Sequence, residues 1–294
     1  MPSPDITAQS ADLARYSVTP TDIQSVQKQI SNTNCDDRMV RQYIQATGGD
    51  LKAAAKRLHA TLEWRAQVHP ELMTCTACQQ LPKSHYMHLV GYDLLSRPVM
   101  YSCLEMVTNR SIEDNRRHMI STFEQCIQAM PEGVGQWVWV SDFKGFGMSD
   151  CDPRLAKVFL DLSAAHYPER LGLFLVIDAP WIFNTLWRAI APIVDPHTKK
   201  KIRFLPYDVS KTHPEGKTLG ASLGQVFDPE LTTWLLAELA ENRDKHIGPQ
   251  KFLDANAYFR SPAAVQGHDI RGTSKILQLY AERPQLLRPF LSTN

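Results

Sequence analysis

A chain of 294 residues with 43% hydrophobic content has enough apolar surface to bury a sizeable core and reads as globular, not disordered. Its 32 Lys and Arg against 31 Asp and Glu leave a formal charge of +1, which excludes a general nucleic-acid binder held by a basic excess. The six cysteines (Cys35, Cys75, Cys78, Cys103, Cys126, Cys151) are too dilute for a disulfide framework, so reduced thiols are expected.

The opening "MPSPDITAQSADLARYS" has no apolar stretch behind basic residues, and no window approaches the roughly 20 apolar residues that span a bilayer. A soluble, cytoplasmic protein is expected. Residues 1–20 read as a flexible polar arm. Residues 21–70 read as a small helical domain, with Thr21 or Asp22 as a first cap and Leu51, Ala54, Ala55, Leu58 and Leu62 along one helix face. After Pro70 turn residues lead into a strand-like segment, "RPVMYSCL".

Further on, "QWVWVS" (136–141) is β-branched and aromatic enough for a strand, and "DFKGFGMSD" follows as a loop. Asp152 caps the next helix and Pro153 suits its first turn, with Leu155, Val158, Phe159, Leu162 and Ala165 at helical spacing. Pro168 should stop that helix at "HY". The unbroken apolar run "LGLFLVID" (171–178) predicts a strand covered on both faces, "APWIFNTLWRAIAPIV" a helix and "KIRFLP" another strand. This alternation predicts an α/β fold with right-handed crossovers and a mostly parallel sheet, placed in residues 71–230. Residues 231–294 read as a C-terminal extension, with helices in "DPELTTWLLAELAENRDKH" and near "SKILQLYAER".

Three local patterns carry chemistry. Cys75, Cys78, His85 and His88 form C-x2-C-x6-H-x2-H, a donor set for structural zinc, although the two histidines are closer than zinc fingers usually place them. The competing reading packs the thiols in a loop; a redox Cys-x-x-Cys lacks its preceding βαβ context. "GASLG" matches the G-x-S-x-G pattern of a serine hydrolase, with Ser222 as nucleophile and Asp228 and His246 downstream, but the preceding "KTHPEGKT" is polar where a buried strand is required. "GFGMSD" has Asp150 where the third glycine of a dinucleotide loop belongs.

The segment "YPERLGLFLVIDAPWIFNTLWRAIAPIVDPHTKKKIRF", preceded in order by "DLKAAAKRLHATLEWR", "GYDLLSRPVMY" and "DFKGFG", resembles the CRAL-TRIO family of lipid-binding proteins over roughly residues 35–225. The resemblance implies helices and a sheet enclosing an apolar lipid pocket, a small all-helical domain before them, and a mobile gate helix at about Trp181 to Ile193. Pocket and gate positions are then Phe123, Trp137, Trp139, Trp181, Phe183, Trp187 and Ile190. By the same resemblance Glu169, Thr198 and Lys201 bind an inositol phosphate headgroup, through a carboxylate acceptor, a hydroxyl and a cation. Two departures bear on the headgroup. A basic residue of the helical domain aligns with Thr47, and the hydroxyl residues that hold choline phosphate in some members fall at Trp137 and Trp139, with Phe123 and Met100 replacing further ligands of that site. Phosphatidylcholine by that route is disfavoured, and the indoles suit either a rigid sterol or isoprenoid or ordinary core.

Each buried methylene is worth about 0.8 kcal/mol, so two chains of about 16 carbons would cost on the order of 25 kcal/mol in water. A carrier must therefore replace the bilayer's apolar surroundings. The expected protein is a monomer without a catalytic step or required cofactor beyond the bound lipid and the candidate zinc. Its partners are a phospholipid or other hydrophobic ligand and, transiently, a membrane surface. A sensor that presents lipid without transferring it has the same sequence signature.

Overall fold

A computed structural model of the chain describes residues 16–30, 36–81, 84–208, 218–248, 251 and 268–287. Helices α1 (Pro20–Gln29), α2 (Asp37–Ala46) and α3 (Leu51–Val68) open it, burying Ile23, Val26, Val40, Ile44, Ala54 and Leu58 against one another in a core of their own. The cap of α1 is Thr19, ahead of the predicted Thr21 or Asp22: its hydroxyl accepts from Asp22 N, and the Asp22 carboxylate accepts from Thr19 N. Pro20 then occupies the first helical position, where no N–H is needed.

Short helix α4 (Thr76–Gln80) leads to strands β1 (Met87–Tyr92) and β2 (Pro98–Cys103), an antiparallel pair. Asp93 fixes their turn, with Oδ1 accepting from Leu95 N at 3.0 Å and Arg97 N at 2.7 Å. This is the structural content of "GYDLLSRPVMY". Three crossovers follow: α5 (Ile112–Ala129) to β3 (Trp137–Asp142), α6 (Pro153–His166) to β4 (Leu171–Ile177), and α7 (Trp181–Ile190) with α8 (Pro196–Lys200) to β5 (Ile202–Leu205). The sheet order is β1-β2-β3-β4-β5, parallel from β2 onward. Because each right-handed crossover steps to the next strand in one direction, all the crossover helices lie on the same sheet face.

The opposite face is covered from the C-terminal part, by short α9 (Leu219–Leu223), α10 (Pro229–Glu241) and α11 (Ser274–Glu282). Tyr101 of β2 meets Trp234 edge-on at 5.6 Å and accepts a hydrogen bond from Asn242 at 3.0 Å. Leu231, Leu235, Leu239 and Ile276 join the sheet's main core.

The expected β2, β3, β4, β5 and α6 are all present, and α6 ends at His166 ahead of Pro168. The helix expected through Val194 stops at Ile190, where Pro192 lacks an N–H and the chain tightens into a 3-10 turn over Ala191–Ile193. Helix α5 and strand β1 lay outside the sequence reading. Helix α5 buries His118, Ser121, Thr122, Glu124 and Gln125, so polar residues occupy its inner face and blur the apolar period. No helix among the described residues is long and apolar enough to cross a membrane.

The N-terminal helices join the sheet layer where α2 and α3 meet α6. Tyr43 donates to Ala165 O at 3.0 Å, and the Trp64 indole stacks on the His166 imidazole at 4.0 Å and 9°. Burial, with the charges of Arg116 and Arg65 nearby, lowers the His166 pKa to about 4. The unfolded chain, with a histidine near 6.5, binds this proton first as pH falls. The stability contributed here is therefore complete above about pH 6.5 and is lost on acidification towards pH 4. Urea midpoints measured from pH 7 to 4.5 should fall less steeply in His166→Gln than in the parent; parallel slopes would show that the ring is not held neutral.

Candidate ligand-binding site

The segment "YPER" forms the corner between α6 and β4, and each side chain has a distinct task. The Tyr167 hydroxyl donates to Glu124 Oε1 at 2.8 Å, and burial together with Glu124 pushes its pKa well above the usual phenol value, so it remains a donor. Glu169 adopts a left-handed backbone, φ 57°, uncommon outside glycine and consistent with a tightly held corner. Arg170 is buried, donating through Nη1 to Gly135 O at 3.1 Å while its carbonyl accepts from Trp137 N at 2.8 Å. The corner thus hangs on the sheet and α5, leaving the Glu169 carboxylate to face Lys201 Nζ at 3.3 Å.

This ion pair lies in a cleft of about 290 Å³ that also includes Thr198, Asp195 and Arg57. Lys201 stands at the end of α8 with only 4% exposure, so the pair is well shielded from solvent. Thr198 belongs to α8, where its hydroxyl donates to Asp195 Oδ2 at 3.1 Å. That proton serves the helix cap, and the hydroxyl's lone pairs remain for a headgroup. Phe123 and Trp137 stack at 4.7 Å on the inner wall of the same cleft.

A second cavity of about 240 Å³ lies between the sheet and α6 and α7. Trp139, Phe183, Trp187 and Ile190 line it; Trp181 does not, standing 78% exposed. Cleft and cavity share Phe159, Leu160, Leu171, Val194 and Thr198 as wall residues, so one opens beside the other. On the floor, Trp139 stacks on Phe174 at 4.8 Å and its Nε1 donates to Ser102 Oγ at 2.9 Å, which in turn donates to Ser141 Oγ at 2.9 Å. The cover is weakly held. Of the ten residues of α7 only Phe183 is buried, and its N-cap, Pro180, makes no side-chain capping bond.

Arg57 and the serine pair Ser102 and Ser141 were not singled out from sequence. Arg57 had a signal, since it follows Ala54 by three residues on the flank of the buried face of α3, and it supplies a cation to the cleft where Thr47 cannot. The serines had none, because strand alternation alone does not tell which face will border a cavity.

The remaining candidates resolve differently. Cys75, Cys78 and His85 converge, but His88 does not join them: strand β1 turns it to the far face, where Nε2 donates to Ile270 O at 2.8 Å. His118 of α5 stands in its place, with ligand atoms of all four residues within 4.8 Å of one another. Ser222 is buried within α9, Asp228 caps α10 and pairs with Lys275, and His246 is exposed; no hydrogen bond links the three among the described residues. In "DFKGFG", Asp142 accepts from Lys144 N and from Arg243, while Gly145, with φ 81°, admits Glu105 where a Cβ would collide. Its Asp150 accepts from Gly147 N at 2.9 Å and pairs with Arg110 at 2.6 Å. The loop's carboxylates thus brace its own turns and tie it to Arg243 and Arg110.

Comparison with known proteins places this architecture. Residues 83–224 match the family model of the CRAL/TRIO domain. A CRAL-TRIO domain-containing protein of Schizosaccharomyces pombe is 28% identical over 257 residues, covering 86% of this chain and 25% of the relative. Phosphatidylinositol transfer protein CSR1 of Eremothecium gossypii is 25% identical over 190 residues, covering 59% of this chain and 44% of its own. Phosphatidylinositol transfer protein PDR17 of Saccharomyces cerevisiae is 25% identical over 175 residues, covering 55% and 50%. The chain thus spans between a quarter and a half of the length of these relatives. The crystal structure of Sfh5 is similar with a TM-score of 0.50 at 18% identity, over 71% of this chain and 75% of that one, a likeness of fold. The ordered motifs and the mostly parallel sheet behind its N-terminal helices agree with this match, and residues 83–224 carry the likeness to the CRAL/TRIO domain.

Proposed function

We propose that this chain binds a phospholipid, phosphatidylinositol foremost, with its headgroup at the Glu169, Arg57 and Lys201 cleft and its acyl chains in the apolar cavity behind it, and that it exchanges this lipid at membrane surfaces. The observation that carries the reading is the continuity of a charged cleft with an apolar cavity through shared walls. Only an amphiphile uses both. Two cations suit a phosphate, and the Glu169 carboxylate suits hydroxyl donors on a sugar-like ring.

Entry follows from the weak burial of α7. The cavity, about 240 Å³, is below the usual range of roughly 300–1,000 Å³ for drug-sized ligands, so two acyl chains need the cover to move to make room. Trp181 on α7 and Ile193 in the turn beyond it, 78% and 70% exposed, give that cover an apolar outer surface suited to a bilayer interface. No catalytic step enters this reading. The stacked Trp139 and Phe174 and the small volume favour, as a second reading, a rigid isoprenoid or sterol that leaves the charged cleft unused.

Mass spectrometry of lipids carried by protein purified gently from a eukaryotic host separates the two: enriched phosphatidylinositol is expected, and an enriched isoprenoid would transfer the assignment to the second reading. Glu169→Gln with Lys201→Met removes both charges together and leaves neither buried alone. It is expected to slow phosphatidylinositol transfer between vesicles about tenfold, the scale of one lost charge-assisted hydrogen bond. Arg57→Gln should slow it several-fold, and unchanged transfer in both variants would sink the headgroup assignment.

Trp181→Ala tests the cover separately. A surface change of this kind should move folding stability by no more than about 0.5 kcal/mol. Sedimentation with vesicles should drop about tenfold if the indole enters the interface; equal binding would place the docking surface elsewhere.

A further inference from the structure

We infer that Cys75, Cys78, His85 and His118 form a structural tetrahedral metal site, selective for zinc, that fastens the connector between the helical domain and the sheet to helix α5. All four side chains are buried, at 0%, 0%, 3% and 2% exposure respectively, and their ligand atoms lie within 4.8 Å of one another. The contacts are Cys75 Sγ to His85 Nδ1 at 3.5 Å, Cys78 Sγ to His85 Nδ1 at 3.4 Å and Cys78 Sγ to His118 Nδ1 at 3.5 Å. Zinc bonds of about 2.3 Å to sulfur and about 2.0 Å to nitrogen, opened to the tetrahedral angle, set sulfur and nitrogen about 3.5 Å apart. Each sulfur-to-nitrogen contact named here has the length of a tetrahedron edge.

The hydrogen bonds around the cluster leave the right atoms available. His118 Nε2 lies 2.8 Å from Met87 O, which can only accept, so this nitrogen carries the ring proton and the lone pair of Nδ1 points to the sulfurs. Cys75 is the N-cap residue of α4, and its sulfur accepts from Cys78 N at 3.4 Å, as a thiolate near a cation would. His85 offers Nδ1 to both sulfurs, while its Nε2 is buried without a partner among the described residues. Two thiolates neutralise a divalent cation, so the assembled site would carry no net charge into the core, whereas the same four groups without a metal leave polar atoms buried with long, weak sulfur contacts. Two soft thiolates with two imidazoles in a closed tetrahedral set are the donors that zinc takes in structural sites.

The ligands come from three places: the α4 turn, the residue before Tyr86 and β1, and the first crossover helix. The fourth ligand is 40 residues from Cys78, which is why spacing alone nominated His88. A metal here would close that span as a crosslink does, and His85 and His118 also border the apolar cavity, so the site would stiffen one wall of it.

The test uses the full chain, purified under reducing conditions, with zinc measured by elemental analysis and the stripped protein titrated with cobalt(II). One zinc per chain is expected, together with the visible ligand-field bands of tetrahedral cobalt and a sulfur-to-cobalt charge-transfer band. His118→Asn should weaken metal binding by at least about tenfold, and His88→Asn should leave it unchanged. Should His118→Asn fail to fold, His118→Cys decides: it should retain the metal and strengthen the charge-transfer band through a third thiolate. A reduced wild-type chain that takes up neither zinc nor cobalt would overturn the proposal. So would loss of metal in His88→Asn with retention in His118→Asn, since the fourth ligand would then be His88.

Discussion

The buried carboxylate of Glu124 is the interaction on which the geometry of the site depends. Withdrawing a carboxylate from water costs several kcal/mol unless partners surround it, and at 3% exposure Glu124 needs them. It receives Arg65 from α3 through two nitrogens, at 2.7 and 3.0 Å, and the Tyr167 hydroxyl at 2.8 Å. The three residues belong to the helical domain, to the first crossover helix and to the corner before β4. Removing any one of them leaves charge or polarity uncompensated, so the three elements hold one relative position. The left-handed Glu169 follows two residues after Tyr167, and its reach to Lys201 is set by that anchor.

The second constraint is topological. A sheet wound in a single direction places every crossover helix on one face and leaves the other face to the C-terminal part. The two faces are treated differently. Tyr101 and Leu89 take hydrogen bonds and contacts from α10, Asn242 and Tyr280, and the buried Glu238 beneath them accepts from Tyr86, Lys251 and His268. Burial alone would raise the pKa of Glu238, but the hydrogen bonds and charges of His268 and Lys251 outweigh it and hold the group at about 2. That face is dense, and its buried charges are paired. On the crossover side, α6 and α7 each bury a single residue, Leu162 and Phe183, and the space beneath them stays open.

How much of this was legible follows the same division. Strands β3 and β4 were readable because both faces of the sheet are covered and their sequences are nearly continuously apolar. Helix α6 was readable to the residue because Asp152, Pro153 and Pro168 mark its ends. Helix α5 was hidden because its inner face carries the polar groups that do the joining, Glu124 to Arg65 and His118 to the cysteines. Sequence periodicity registers apolar burial, and it is blind to a polar side chain that is buried with its partner. The family resemblance supplied Glu169 and Lys201, which the fold does bring together. It did not indicate that the Thr198 proton goes to Asp195, nor that Arg57 stands in the cleft, since both depend on contacts between elements distant in sequence.

An apolar cavity kept open by a fold has a cost, on the order of 24 cal/mol per Å³ where surrounding atoms cannot collapse into it. Such a cavity persists only if other parts of the molecule are rigid enough to oppose collapse. The C-terminal layer behind the sheet and the Glu124 junction beside it hold the walls with bonded polar groups that fix their neighbours' positions. A ligand that fills the space recovers lost dispersion contacts and, by mass action, stabilises the closed form over the open one. The weakly buried α7 is then the place where binding energy is felt: with the cavity filled it has a surface to rest on, and with the cavity empty Phe183 alone anchors it within its own length.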